Sequence, residues 1–161
     1  MKNSERYRYT FESMPISEEL NNLLNEDNKA RFFKAYNGKL LFEQGDDTVT
    51  DQVGRTQALY EYDLETQELK SLELPGENIK IWDAVYYQDH YIYIVRNKED
   101  GLTSIIAEKQ NHETTVLFEE MGISFMGHPS FEVAADGLYY CFFFRNLIIS
   151  IIPSISELHR S

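Results

Sequence analysis

The sequence predicts an all-β chain built from repeats of a four-stranded antiparallel unit, preceded by a short strand and a helix. Three observations predict it. Asn37-Gly38 sits between the apolar runs 31–36 and 39–42, the strongest short-range signal for a tight hairpin. Comparable devices recur at Gln88-Asp89-His90 and at Asp136-Gly137, each followed by an alternating apolar run. Aromatic residues make up 14% of the chain, with 11 Tyr, 10 Phe and one Trp, and broad rings suit a pleated surface.

Residues 1–29 form a leading segment. From Tyr7 to Glu12 the chain alternates with period two, which predicts a short strand. A helix follows: Ser17 is placed to cap it, Glu18 and Glu19 suit its electropositive first turn, and Leu20, Leu23 and Leu24 share one face. The polar run Asn25–Asn28 ends it.

The first copy of the unit spans 30–76. Strands at 31–36 and 39–43 flank Asn37-Gly38, a polar loop covers 44–55, and a strand at 57–64 turns at Glu65-Thr66-Gln67 into 68–74, stopped by Pro75-Gly76. In the third strand Leu59, Glu61 and Asp63 point one way, and Tyr60, Tyr62 and Leu64 the other. The second copy spans 77–120, with strands at 81–87, 91–96, 102–108 and 114–119 and a shorter loop at 97–101. Asn37 to Asp89 is 52 residues (89 − 37), whereas Glu68 to Glu113 and Leu72 to Leu117 are each 45 (113 − 68, 117 − 72). The longer second loop of the first copy accounts for the difference. His90 stands in the middle hairpin where the others carry Gly, so that turn is expected to be the most strained or the least tight of the three.

A partial third copy spans 121–146, turning at Asp136-Gly137, 47 residues after Asp89 (136 − 89). Residues 147–161 are apolar and then polar, with no linker before them. Two readings stand for this tail: 147–152 is the third strand of the copy, or the tail is foreign to the repeat, as a shifted reading frame would make it.

Repeats of about 40–50 residues, each of four short antiparallel strands, are the mark of β-propeller blades. Asn37–Phe42, Leu59–Thr66 and Leu72–Gly76 together resemble a blade of the kelch-like and TolB-like bacterial propellers. The resemblance covers about residues 30–144. The double glycine of kelch is absent, and Trp82-Asp83 opens a copy rather than closing it as in tryptophan–aspartate repeats. The resemblance implies blades around a central channel, incomplete here, since closed rings hold roughly four to eight. It implies a non-catalytic binding or scaffold module, part of a longer propeller, with a protein, small-molecule or carbohydrate ligand. The alternative is a fragment of a propeller hydrolase or sugar-active enzyme, with Asp83 as one carboxylate of a pair. A third reading is an incomplete product without a function of its own. Open sheet edges invite self-association.

The candidate binding residues are Lys80, Trp82, Asp83 and His128, which open the second and third copies and would line one mouth of the channel. The competing reading has Trp82 packing between blades and Asp83 capping a loop. No catalytic residue, metal site or cofactor is assigned. The chain lacks a phosphate-binding loop, a nucleophile elbow, a His-Glu-x-x-His run and any Cys pair. Cys141, the sole cysteine, lies among Tyr and Phe and reads as a buried apolar residue. Asp46-Asp47 with Asp51 does not match a calcium loop, and the Tyr stripes fit packing between sheets better than sugar stacking. His90 and His112 fall in turns and read as solvated.

Net charge is −12, from 27 acidic and 15 basic residues spread through loops and strand edges. That opposes nucleic-acid binding and docking on an anionic membrane. Neither a signal peptide nor a spanning helix is recognisable, so a cytoplasmic location is the default expectation.

Overall fold

The structure, a computed structural model, describes residues 15–25, 30–46, 54–120, 129–134, 137–142 and 147–152. The strand expected at 7–12 and His128 lie outside the described residues. The chain is mostly β, with one helix, α1 (Glu18–Leu23), among the described residues. Ser17 caps it as expected: its Oγ accepts the Leu20 N–H at 3.2 Å. No described helix is long and apolar enough to cross a membrane.

Three antiparallel sheets follow, each with its strands in chain order. The first holds β1 (Ala30–Tyr36), β2 (Lys39–Asp46), β3 (Arg55–Asp63) and β4 (Leu69–Leu72). The second holds β5 (Ile79–Tyr87), β6 (His90–Asn97), β7 (Thr103–Lys109) and β8 (Thr114–Glu120). The third holds β9 (Ser130–Ala134), β10 (Gly137–Phe142) and β11 (Leu147–Ile152). Residues 147–152 pair as a strand: β11 lies antiparallel to β10, with Leu138 opposite Ile152 and Phe142 opposite Leu147.

Period-two alternation turns this order into layers. Leu59 faces the second sheet in a cluster with Phe33, Leu41, Ile79, Ile81, Ala84, Tyr93 and Val95. Tyr62 and Phe42 face the other way and pack under Leu20 and Leu23 of α1. The helix therefore covers the outer face of the first sheet. A third cluster joins Trp82, Val85, Ile92, Ile94, Ile105 and Ala107 of the second sheet to Phe131, Leu138 and Tyr140 of the third. Each such buried aliphatic or aromatic side chain is worth roughly 1.5–3 kcal/mol. The first strand of each later sheet lies against the sheet before it: β5 packs across β1, β2 and β3, and β9 packs on β5.

The hairpins correct the sequence register by one residue. Tyr36 pairs with Lys39, Tyr87 with His90 and Ala134 with Gly137. His90 thus matches Lys39, not Gly38, and begins a strand instead of occupying a turn. The equivalent turn pairs are Asn37-Gly38 and Gln88-Asp89; the third pair, 135–136, lies outside the described residues. All four described turn residues have positive φ: 43° and 74° in the first pair, 49° and 61° in the second. This is the double left-handed conformation that favours Asn-Gly. The slip arose because Gln-Asp offers no glycine to mark the middle turn, and because the glycine of the third copy, Gly137, already begins β10 and also matches Lys39. The middle hairpin still carries two side-chain-bearing residues in the left-handed region, so the cost sits at Gln88 and Asp89.

Changing Gln88-Asp89 to Asn-Gly is expected to stabilise the chain by about 1 kcal/mol, because the left-handed conformation costs about that much per non-glycine residue. Urea unfolding checks this; an unchanged or lowered midpoint counts against the assigned turn.

Candidate functional site

Two polar clusters flank the apolar layer between the first and second sheets. Each is centred on a glutamate that strand alternation aims into the interface.

The first lies where β1 and β5 begin. Glu43 on β2 is 1% exposed. Its Oε1 accepts from Arg31 and from Lys80, each at 2.7 Å. Its Oε2 accepts from Thr56 Oγ1 at 2.7 Å, and that oxygen accepts the Ile81 N–H at 2.9 Å. Arg31 Nη2 also donates to the carbonyls of Ile81, at 2.8 Å, and Trp82, at 3.1 Å. A buried carboxylate is expensive unless paired, and here two cations and a hydroxyl surround it.

Three of the four sequence-predicted binding residues lie on β5, and they reach in different directions. Lys80 joins Glu43. Trp82 is the extra residue of a bulge between Ile81 and Asp83 and packs in the layer between the second and third sheets. Asp83 accepts the Phe131 N–H at 2.8 Å and the Ala84 N–H at 2.9 Å, with the Lys34 ammonium 3.8 Å away. Burial pushes the Asp83 carboxyl above the usual carboxylate range, against the opposing pull of those amides and of Lys34.

The second cluster lies at the opposite end, where β1 and β5 finish. Glu61 on β3 accepts hydrogen bonds from the hydroxyls of Tyr36 and Tyr91 and from Lys39 Nζ, the last at 2.6 Å. Burial favours its neutral form, but the bonds from Lys39, Tyr36 and Tyr91 together outweigh burial and hold the carboxyl below its usual range. The Tyr36 and Tyr91 hydroxyls are pushed well up, first by burial and then by hydrogen bonding to Glu61. Tyr93 is raised likewise, by burial and by Glu108. These phenols are therefore protonated donors at neutral pH and not nucleophiles. The rings pack on one another: Tyr36 stacks on Tyr86 at 4.7 Å, and Tyr91 meets Tyr86 edge-on at 5.1 Å.

Beside Glu61 a cleft of about 410 Å³ opens between the two sheets, lined by Lys39, Lys70, Tyr91, Glu108, Lys109 and His112 among others. His112 Nδ1 lies 2.9 Å from Glu108 Oε1 and 3.5 Å from Glu73 Oε2, so it bridges the sheets at the rim. Among the described residues, no group of three or more His, Cys, Asp or Glu is placed to hold a metal ion.

Sequence reading missed Glu43, Glu61 and, apart from Lys80, their partners. The signal was available in Glu61, which alternates with Leu59 on an inward face and so required a partner. The identity of that partner was not available, because Tyr91 lies on another sheet.

No family model matches the chain, and neither a curated protein nor a solved structure does so.

Glu61→Gln tests the second cluster. The carboxyl is held below its ordinary value of 4.5, so its contribution is fully present above that value and is lost as pH falls through the depressed one. The wild type should exceed the variant in unfolding free energy at pH 7, and the gap should narrow as the pH is lowered below 4.5. A gap that does not change with pH contradicts the assignment.

Proposed function

We propose that the chain is a non-catalytic binding or scaffold module of β-propeller type, its sheets being consecutive blades of a longer propeller. The observation that carries this reading is the stacking of meanders: two four-stranded sheets, each in simple chain order, lie face to face, with β5 of the second across β1, β2 and β3 of the first. Repeated units that bury their faces only against neighbours are the propeller solution to an all-β repeat. The buried acids support the non-catalytic part. Glu43 and Glu61 are tied to cations and hydroxyls, and Asp83 holds two backbone N–H groups. Each therefore joins strands or sheets instead of standing free to exchange a proton with a substrate.

In this reading the ligand, a small molecule, carbohydrate or protein segment, meets the cleft beside Glu61. Its walls carry donors and acceptors of both signs, from Lys39, Lys70 and Lys109 to Glu108 and His112. Lys80, Trp82 and Asp83 form the framework, with Trp82 8% and Asp83 6% exposed.

The test is thermal-shift titration of the full chain against a panel of neutral disaccharides, amino acids and tripeptides, alongside p-nitrophenyl glycosides and peptidyl p-nitroanilides. The reading expects a saturable shift that Lys109→Ala weakens, with no chromophore release. Release of p-nitrophenol or p-nitroaniline that disappears in Glu61→Gln or Asp83→Asn overturns it in favour of a hydrolase.

A further inference from the structure

The two outer strands of the first and second sheets carry features that discourage pairing with another chain. β4 is four residues long and includes Lys70. β8 ends in Glu119-Glu120 and carries a bulge opposite Ile105 and Ile106. Short length, charge and bulges are the usual protections of a sheet edge.

β11 differs. It stands in its sheet where β3 and β7 stand in theirs, as third strand of a meander. β3 and β7 each take a fourth strand on the outer side, whereas β11 is the edge of its sheet among the described residues. Its sequence, Leu-Ile-Ile-Ser-Ile-Ile, has no charge and no proline and is rich in β-branched residues. Its one protecting feature is an irregularity at Ile149, between the pairs Tyr140–Ser150 and Cys141–Ile148.

We infer that the β11 edge pairs antiparallel with β11 of a second copy of this chain, filling the fourth-strand place and joining two third sheets into one. Three considerations select a second copy. An antiparallel pair about a two-fold axis needs only a strand that is its own complement. β11 is nearly palindromic: centred between Ile149 and Ser150, Leu147 falls opposite Ile152 and Ile148 opposite Ile151. The chain as a whole carries −12, yet this strand brings no like charges into opposition. The pairing closes at the dimer, because each copy uses its one edge of this kind. It rests on strand pairing alone and stands apart from the binding-module reading.

Sedimentation velocity of the full chain over about 1–100 µM, the range in which a modest interface is half-occupied, reads the association. The expected result is a monomer that gives way to a dimer, with amide exchange over residues 147–152 slowing at least about tenfold across the same range. Ile151→Lys places a charge on the edge and is expected to keep the chain monomeric with an unchanged far-UV spectrum. If that variant fails to fold, the exchange measurement on the unaltered chain decides the matter. Four results overturn the inference: a monomer throughout, a dimer in which 147–152 gains no protection, protection that is independent of concentration and so comes from the same chain, and particles that grow past the dimer.

Discussion

The position of β5 is the constraint on which the rest of the structure depends. One strand serves two apolar layers: Ile79, Ile81 and Ala84 face the first sheet, while Trp82 and Val85 face the third. Strict alternation cannot place Ile81 and Trp82 on opposite layers and also put Ala84 back with Ile81. The bulge between Ile81 and Asp83 supplies the extra residue that makes this possible. Polar contacts then hold the strand in place. Lys80 ties its start to Glu43 of the first sheet, and Asp83 ties its middle to the Phe131 N–H of the third. A shift of β5 by one residue would bury Lys80 or expose Ile81, so these contacts and the apolar layers enforce the same register.

The two glutamate clusters follow from this stacking. Face-to-face sheets leave polar ends on either side of an apolar layer, and strand alternation delivers Glu43 to one end and Glu61 to the other. Each acid is met by hydroxyls and cations from the facing sheet or a neighbouring strand. Their chemistry is that of struts: fixed donors hold both carboxylates, that of Glu61 is kept ionised by them, and the phenols that touch Glu61 are kept protonated by burial and by that carboxylate. The cleft beside Glu61 inherits polar walls from this arrangement.

Much of the fold was legible in the sequence, because hairpins and alternation are local. Asn37-Gly38 marked its turn outright, and the two faces of β3 could be read from Leu59 and Tyr62. The middle and third hairpins were misplaced by one residue: Gln88-Asp89 adopts the same backbone without a glycine to announce it, and Gly137, taken as a turn residue, already belongs to β10. The candidate site was less legible. Lys80, Trp82 and Asp83 are neighbours in sequence, but a bulged strand sends them to three different partners. Glu61 and Tyr91 are 30 residues apart and meet only when the sheets stack. A buried acid can be recognised as needing a partner; local pattern does not say which distant residue supplies it.

Buried acids are the joints between the sheets, and among the described residues Glu43 is the most buried of them. Urea unfolding of Glu43→Ala, with and without Lys80→Met, measures this most directly. Removing the carboxylate strands the largely buried Lys80 against an apolar layer, which should cost about 3 kcal/mol, and adding Lys80→Met should recover part of the loss. A Glu43→Ala chain that unfolds at the wild-type midpoint would contradict the account.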